Sequence, residues 1–132
     1  MTYDDIPTAA DNKLKGQLFN KKNGDNVYDA TKVTYRGDEV TADNFYAVLK
    51  GDAEATGGKP VLRSNAKSKV FVFFTDHGAP GLVQMPAGEK AVFADELQAV
   101  IDTMEEKQMY DEMVFYIEAC ESGSMFPKLK KD

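Results

Sequence analysis

His77 and Cys120 are the only histidine and the only cysteine among the 132 residues, and they stand in matching places. Each lies three residues beyond an apolar run: "VFVFF", Val70 to Phe74, precedes His77, and "MVFYI", Met113 to Ile117, precedes Cys120. A thiol beside an imidazole can hand over its proton and become a thiolate, the nucleophilic form, and the imidazolium can later protonate a leaving amine. That is the pair a cysteine peptidase needs. Two backbone N–H groups could make an oxyanion hole: that of Gly78, where a side chain would crowd a substrate, and that of Cys120 itself. The same two residues also fit a plainer pattern, an inert buried thiol and a loop histidine after a strand. One His, one Cys and scattered acids match no closed zinc spacing, so no metal is expected.

The elements that must position this pair follow from the apolar patterning. Val70 to Phe74 is an unbroken β-branched and aromatic run, the composition of a strand covered on both faces, and Met113 to Ile117 reads as a second buried strand. Between them "GLVQM", ending at Pro86, reads as a short strand or hairpin arm. Leu97, Val100, Ile101 and Met104 then form one apolar helical stripe, with Asp95 as cap and Gln98 three residues on. Strand, amphipathic helix, strand is a βαβ unit with parallel strands. The carboxyl ends of parallel strands share one edge, where open α/β sheets place their ligands, so His77 and Cys120 come within reach if the strands are neighbours about 4.8 Å apart.

Upstream, Thr41 caps a short helix carrying Phe45, Val48 and Leu49, and Gly51 stops it. Residues 7–40 and 52–69 read as loop, the former with a hairpin at Asn23-Gly24.

A chain of 132 residues with 42% hydrophobic and 29% charged residues is expected to fold around one core. Its net charge of -6, from 22 acidic and 16 basic residues, disfavours nucleic acid and anionic membrane as primary partners. Lys128, Lys130 and Lys131 read as a solvated tail. No apolar stretch approaches the roughly 20 residues of a membrane span, and no signal peptide is recognisable at the N-terminus. Arg36-Gly37-Asp38 is also an integrin-type adhesion tripeptide.

"FTDHGAPG", Phe74 to Gly81, and "VFYIEACESGSMF", residues 114 to 126, resemble the two catalytic segments of the legumain, or asparaginyl endopeptidase, family. "YDDI" at 3–6, "VTADNFYAVLKGDAEA" at 40–55 and Lys107-Gln108-Met109-Tyr110 resemble the family in the same order, so the likeness runs along nearly the whole chain. It implies an α/β, caspase-like three-layer sandwich with a mainly parallel sheet, present here in part as residues 1–132 of a catalytic domain. The first strand and the C-terminal strands of that fold lie outside the chain. A strand ending at Tyr3-Asp4 is implied, as is an unpaired edge beside Val70 to Phe74, where the first strand would sit.

In the roles the resemblance implies, Cys120 is the nucleophile, His77 the general base and acid, and Gly78 with Cys120 the oxyanion donors. Glu118 belongs to the pocket for a substrate asparagine, Glu121 and Ser122 line the same cleft, and Asp76 orients the histidine loop or favours imidazolium. The family's pocket also uses an upstream arginine and histidine, and this chain holds no second histidine. The implied activity is cysteine endopeptidase cleavage after Asn, and after Asp under acid conditions, through a thioester that a peptide amine could also attack. Its partners are peptide or protein substrates, it takes no cofactor, and it works in a lysosome or vacuole; oligomeric state is not implied. A catalytically silent legumain-like segment and a relative of the glycolipid-anchor transamidase are the alternatives. Caspases fit less well, having Gln where Glu118 stands and a wider interval between His and Cys.

Overall fold

The computed structural model describes residues 1–86 and 90–129, so Lys130 and Lys131 of the lysine tail lie outside the described residues. The chain divides into two compact units, one from Met1 to Val40 and one beginning at Thr41.

The first unit is mostly loop, as its polar composition predicts, with short 3-10 helices at Ala30–Lys32 and Gly37–Glu39. Near Asn23-Gly24 there is a turn without flanking strands: the Gly24 N–H donates to the Lys21 carbonyl at 3.1 Å, and the Val27 N–H to the Leu18 carbonyl at 2.9 Å. Tyr3-Asp4 is not in a strand either. Two main-chain bonds, from Thr2 N–H to Tyr35 and from Gly37 N–H to Tyr3, hold the segment before Asp4 turns left-handed at φ 60. Arg36 points its guanidinium at its own unit, donating to the carbonyls of Ala30 (2.5 Å) and Val33 (2.7 Å) and pairing with Asp4 at 3.4 Å. The arginine of the adhesion tripeptide is therefore committed to holding its own loop.

The second unit opens with α1, Ala42–Leu49. The Thr41 side chain accepts the Asn44 N–H at 3.1 Å, and Gly51, at φ 69, supplies the left-handed stop, both as the sequence predicts. Residues 52–68 form no helix or strand. β1, Lys69–Thr75, then pairs in parallel with β5, Glu112–Glu118, over seven register pairs from Lys69↔Glu112 to Thr75↔Glu118. Between them lie a small antiparallel sheet, β2 (Gly78–Ala79), β3 (Leu82–Val83) and β4 (Val92–Phe93), and α2, Ala94–Glu106. The α/β order and the parallel pair are those expected. "GLVQM" contributes the return arm of the β2–β3 hairpin.

Two details differ from the sequence reading. Helix α2 starts directly from β4 with Phe93 as its cap, so Asp95 sits inside the first turn, where a carboxylate still favours the positive end of the helix. Its predicted stripe, Leu97, Val100, Ile101 and Met104, is buried. The strand pair, by contrast, is covered on one face only. Val70, Val72 and Phe74 alternate inward, and Phe74 meets Phe45 of α1 edge-on at 5.6 Å. Phe71, Phe73, Val114 and Tyr116 stand on the other face, with Phe71 62% and Tyr116 58% exposed. An unbroken apolar run shows that both faces are apolar. Which of them the chain's own helices cover is a separate matter.

One polar cluster ties α1 to α2. The buried Tyr46 hydroxyl donates to Glu96 at 3.0 Å, and Lys90 donates to the other carboxylate oxygen at 2.7 Å. Burial, then the bond to Glu96, pushes the phenol's ionisation upward. The Lys90 ammonium, and after it the Tyr46 hydroxyl, hold the Glu96 carboxyl below its ordinary 4.5, against partial burial. A carboxyl depressed in this way contributes stability that is complete above its unfolded value and is lost as pH falls through its folded one. Glu96→Gln is therefore expected to lower Tm by about 2–4 °C at neutral pH. In thermal melts, that deficit should shrink as pH is taken below 4.5; a deficit constant down to acid pH would remove the ionic contribution.

Candidate active site

The register of the parallel pair carries straight into the two polar loops. Lys69 and Glu112 pair across an interval of 43 residues, every later pair keeps it, and His77 and Cys120 are separated by the same interval. Each therefore lies two residues past its strand's end, at neighbouring places on the carboxyl edge. The Asp76 N–H donates to the Glu118 carbonyl at 3.3 Å, which extends the ladder by one bond toward the pair. Both His77 and Cys120 are exposed, and the thiol is free. The buried-thiol alternative does not hold.

Gly78 is where the two loops touch. A methyl group built on its Cα would lie 2.3 Å from the Cys120 carbonyl oxygen, closer than a real side chain approaches, and a tight 3.0 Å from the Ala119 side chain. Only glycine leaves room for this approach. The hairpin also orients the Gly78 amide. The Gln84 N–H donates to the His77 carbonyl at 2.8 Å, a single bond that sets His77 opposite Gln84 at a hydrogen-bonding position of the hairpin. Such positions alternate, which makes Gly78↔Val83 the non-bonded pair and directs the Gly78 N–H away from β3. β2 is an edge strand, so that N–H points off the small sheet.

The remaining predicted residues surround this contact. The Asp76 carboxylate accepts the His77 N–H at 2.6 Å, an arrangement that fixes the loop backbone at the histidine. Glu118 closes β5 on the exposed side of the sheet, Glu121 is exposed, and Ser122 is half-buried at the start of the 3-10 helix Ser122–Met125. Glu121 has φ 55, a left-handed conformation that turns the chain out of β5 immediately after Cys120. Phe126, beyond that helix, packs against Phe115 at 5.8 Å and anchors the turn to the strand's inner face. Sequence reasoning missed Ser124, whose hydroxyl accepts the Gly81 N–H at 2.8 Å and so bonds the histidine hairpin to the cysteine turn. The only local hint was Pro80-Gly81, a turn pair whose central amide the hairpin itself leaves unused.

A family model described as "Peptidase C13 family" matches residues 1–132. The chain is 47% identical to "Legumain" of Mus musculus, an alignment that covers all of this chain and 31% of that protein. It is 40% identical to "Vacuolar-processing enzyme delta-isozyme" of Arabidopsis thaliana (98% of this chain, 28% of that protein). With "Hemoglobinase" of Schistosoma mansoni the identity is 43% (98% and 29%). The chain thus spans under a third of the length of these curated relatives.

Proposed function

The chain belongs to the peptidase C13 family, and from that premise we propose that residues 1–132 are part of the catalytic domain of a cysteine endopeptidase that cleaves after asparagine, and after aspartate under acid conditions. The observation that carries this reading is the shared interval of 43 residues, which brings the only His and the only Cys to one sheet edge with Gly78 pressed against Cys120.

In the proposed reaction the Cys120 thiol passes its proton to His77, and the thiolate attacks the main-chain carbonyl carbon of the substrate asparagine itself. Negative charge collects on the carbonyl oxygen, and the N–H groups of Gly78 and Cys120 take it up. The outward direction of the Gly78 N–H supports that assignment. His77 returns its proton to the departing amine as the C–N bond breaks, leaving a thioester on Cys120. Water, deprotonated by His77, then releases the acid and restores the thiol; a peptide amine in the water's place gives a ligated product. Glu118, with Glu121 and Ser122 beside it, faces the asparagine amide as the acceptor half of its recognition. Asp76 holds the histidine loop. The likeness to plant vacuolar-processing enzymes supports a vacuolar, or equivalent lysosomal, place of action.

The test is intact mass measurement after reaction with an asparagine-directed covalent inhibitor at acid pH. One adduct is expected, absent in Cys120→Ala and suppressed by an Asn peptide but not by its Gln counterpart. No adduct on a protein whose Cys120 still reacts with a small alkylating reagent would sink the reading for this chain and leave a catalytically silent segment.

A further inference from the structure

Beyond the last register pair, one side chain spans the two loops. The Ser124 hydroxyl accepts the Gly81 N–H at 2.8 Å and donates to the Glu121 carbonyl at 2.6 Å. Gly81 and Ser124 are again 43 residues apart, the interval of the strand register, so the bond closes at the far side of the site what the ladder begins.

Each end of this bridge is a place where the backbone needs holding. Gly81, at φ 77, follows Pro80 in the two-residue turn between Ala79 and Leu82, a type II pattern. The turn leaves its central N–H without a partner, and Ser124 takes it; the Gly81 carbonyl accepts the Ala94 N–H at 2.9 Å, which ties the turn to the start of α2. At the other end Glu121 is left-handed, a conformation that persists for a non-glycine residue only where its surroundings hold it. Its carbonyl takes two donors from Ser124, the hydroxyl and the N–H at 2.9 Å.

We propose that Ser124 is a positioning residue for the His77–Cys120 pair: its bridge sets the distance between the histidine hairpin and the cysteine turn, and with it how readily the thiol's proton passes to the imidazole. The proposal rests on the peptidase reading, since it assumes that the two side chains work together. Hydrogen bonds of the hydroxyl to two main-chain groups on different loops are what a spacer requires and what alanine cannot supply.

The test reads proton sharing without any peptide substrate. Rates of Cys120 alkylation by iodoacetamide are compared for the wild type, Ser124→Ala, Ser124→Thr and His77→Ala at about pH 6, where a free thiol is protonated, and about pH 9, where it is not. Ser124→Ala is expected to lose about fivefold at the lower pH, the scale of one ordinary hydrogen bond, and nothing at the higher. Ser124→Thr, which keeps the hydroxyl, restores the rate, and His77→Ala loses more than either. In the wild type the Gly81 amide exchanges slowly with solvent.

Different failures separate the two ideas. If His77→Ala falls at the lower pH while Ser124→Ala does not, the pair stands and the spacer role is overturned. If His77→Ala matches the wild type, the pair itself fails and the spacer role with it. Equal losses at both pH values in Ser124→Ala mean general loosening and also overturn it. Should Ser124→Ala not fold, Ser124→Thr and Gly81 exchange decide: a slow amide and a retained rate support the bridge, and a fast amide in the wild type removes it.

Discussion

His77→Ala is expected to lower turnover of an asparagine-containing peptide by about 10⁴-fold or more, because in the proposed mechanism one side chain serves as base in the attack and as acid when the amine leaves. The exposed thiol remains. It should still react with a small alkylating reagent in alkaline solution, which distinguishes loss of the proton carrier from loss of the fold. The chain offers no substitute, since it contains no other histidine. Nor do the carboxylates nearby replace it. Asp76 is bonded to the His77 main-chain N–H, and a carboxylate is a much weaker base toward a thiol than an imidazole is. The measurement is kcat and KM for the variant beside Cys120→Ala. A His77→Ala protein that kept even a tenth of wild-type turnover would rule out the pair as the catalytic unit, whatever the family resemblance implies.

The parts of this site that the sequence displays are those set by local or periodic signals. Thr41 and Gly51 mark a helix by their own chemistry, and both lie where the structure ends that helix. The two apolar runs give the strands, and their matching distances from His77 and Cys120 anticipate the common register. The misplaced cap at Asp95 has a local cause: β4 leads into α2 without a loop, so the extended residue Phe93 takes the cap position and the acidic signal falls inside the helix. Two other features have no local signature. The exposure of Phe71 and Tyr116 depends on which elements lie over the sheet, and a run that is apolar on both faces reads the same either way. The bond between Ser124 and Gly81 spans 43 residues and joins two common residue types, so only the folded register brings it into view. The α/β arrangement itself, a parallel pair with a helix between its strands, is the part of the caspase-like fold that belongs to this family.

Gly78→Ala is the variant in which packing and chemistry are expected to fail together. The added methyl would sit 2.3 Å from the Cys120 carbonyl oxygen, a main-chain atom that cannot rotate away. Ordinary carbon–oxygen contacts are about 3.3 Å, so the histidine hairpin and the cysteine turn must part by roughly 1 Å. A displacement of that size costs about 10²-fold in rate when it separates reacting groups, and the same shift carries the Gly78 N–H off the position where the oxyanion forms. The expected result is a fall of about 10²–10³-fold in kcat with a smaller change in KM, and a stability loss of about 1–3 kcal/mol from overpacking. Gly123→Ala is the control. It lies three residues after Cys120 at an ordinary φ, and a methyl there meets nothing within 4 Å, so activity should remain within about twofold. Steady-state kinetics and thermal melts on the two variants read both effects. If Gly78→Ala kept wild-type kcat, the contact with Cys120 would have to be slack in solution, and Gly78 would lose its place in the oxyanion hole; if Gly123→Ala fell as far as Gly78→Ala, the turn after Cys120 would be sensitive to any change and the steric account of Gly78 would lose its force.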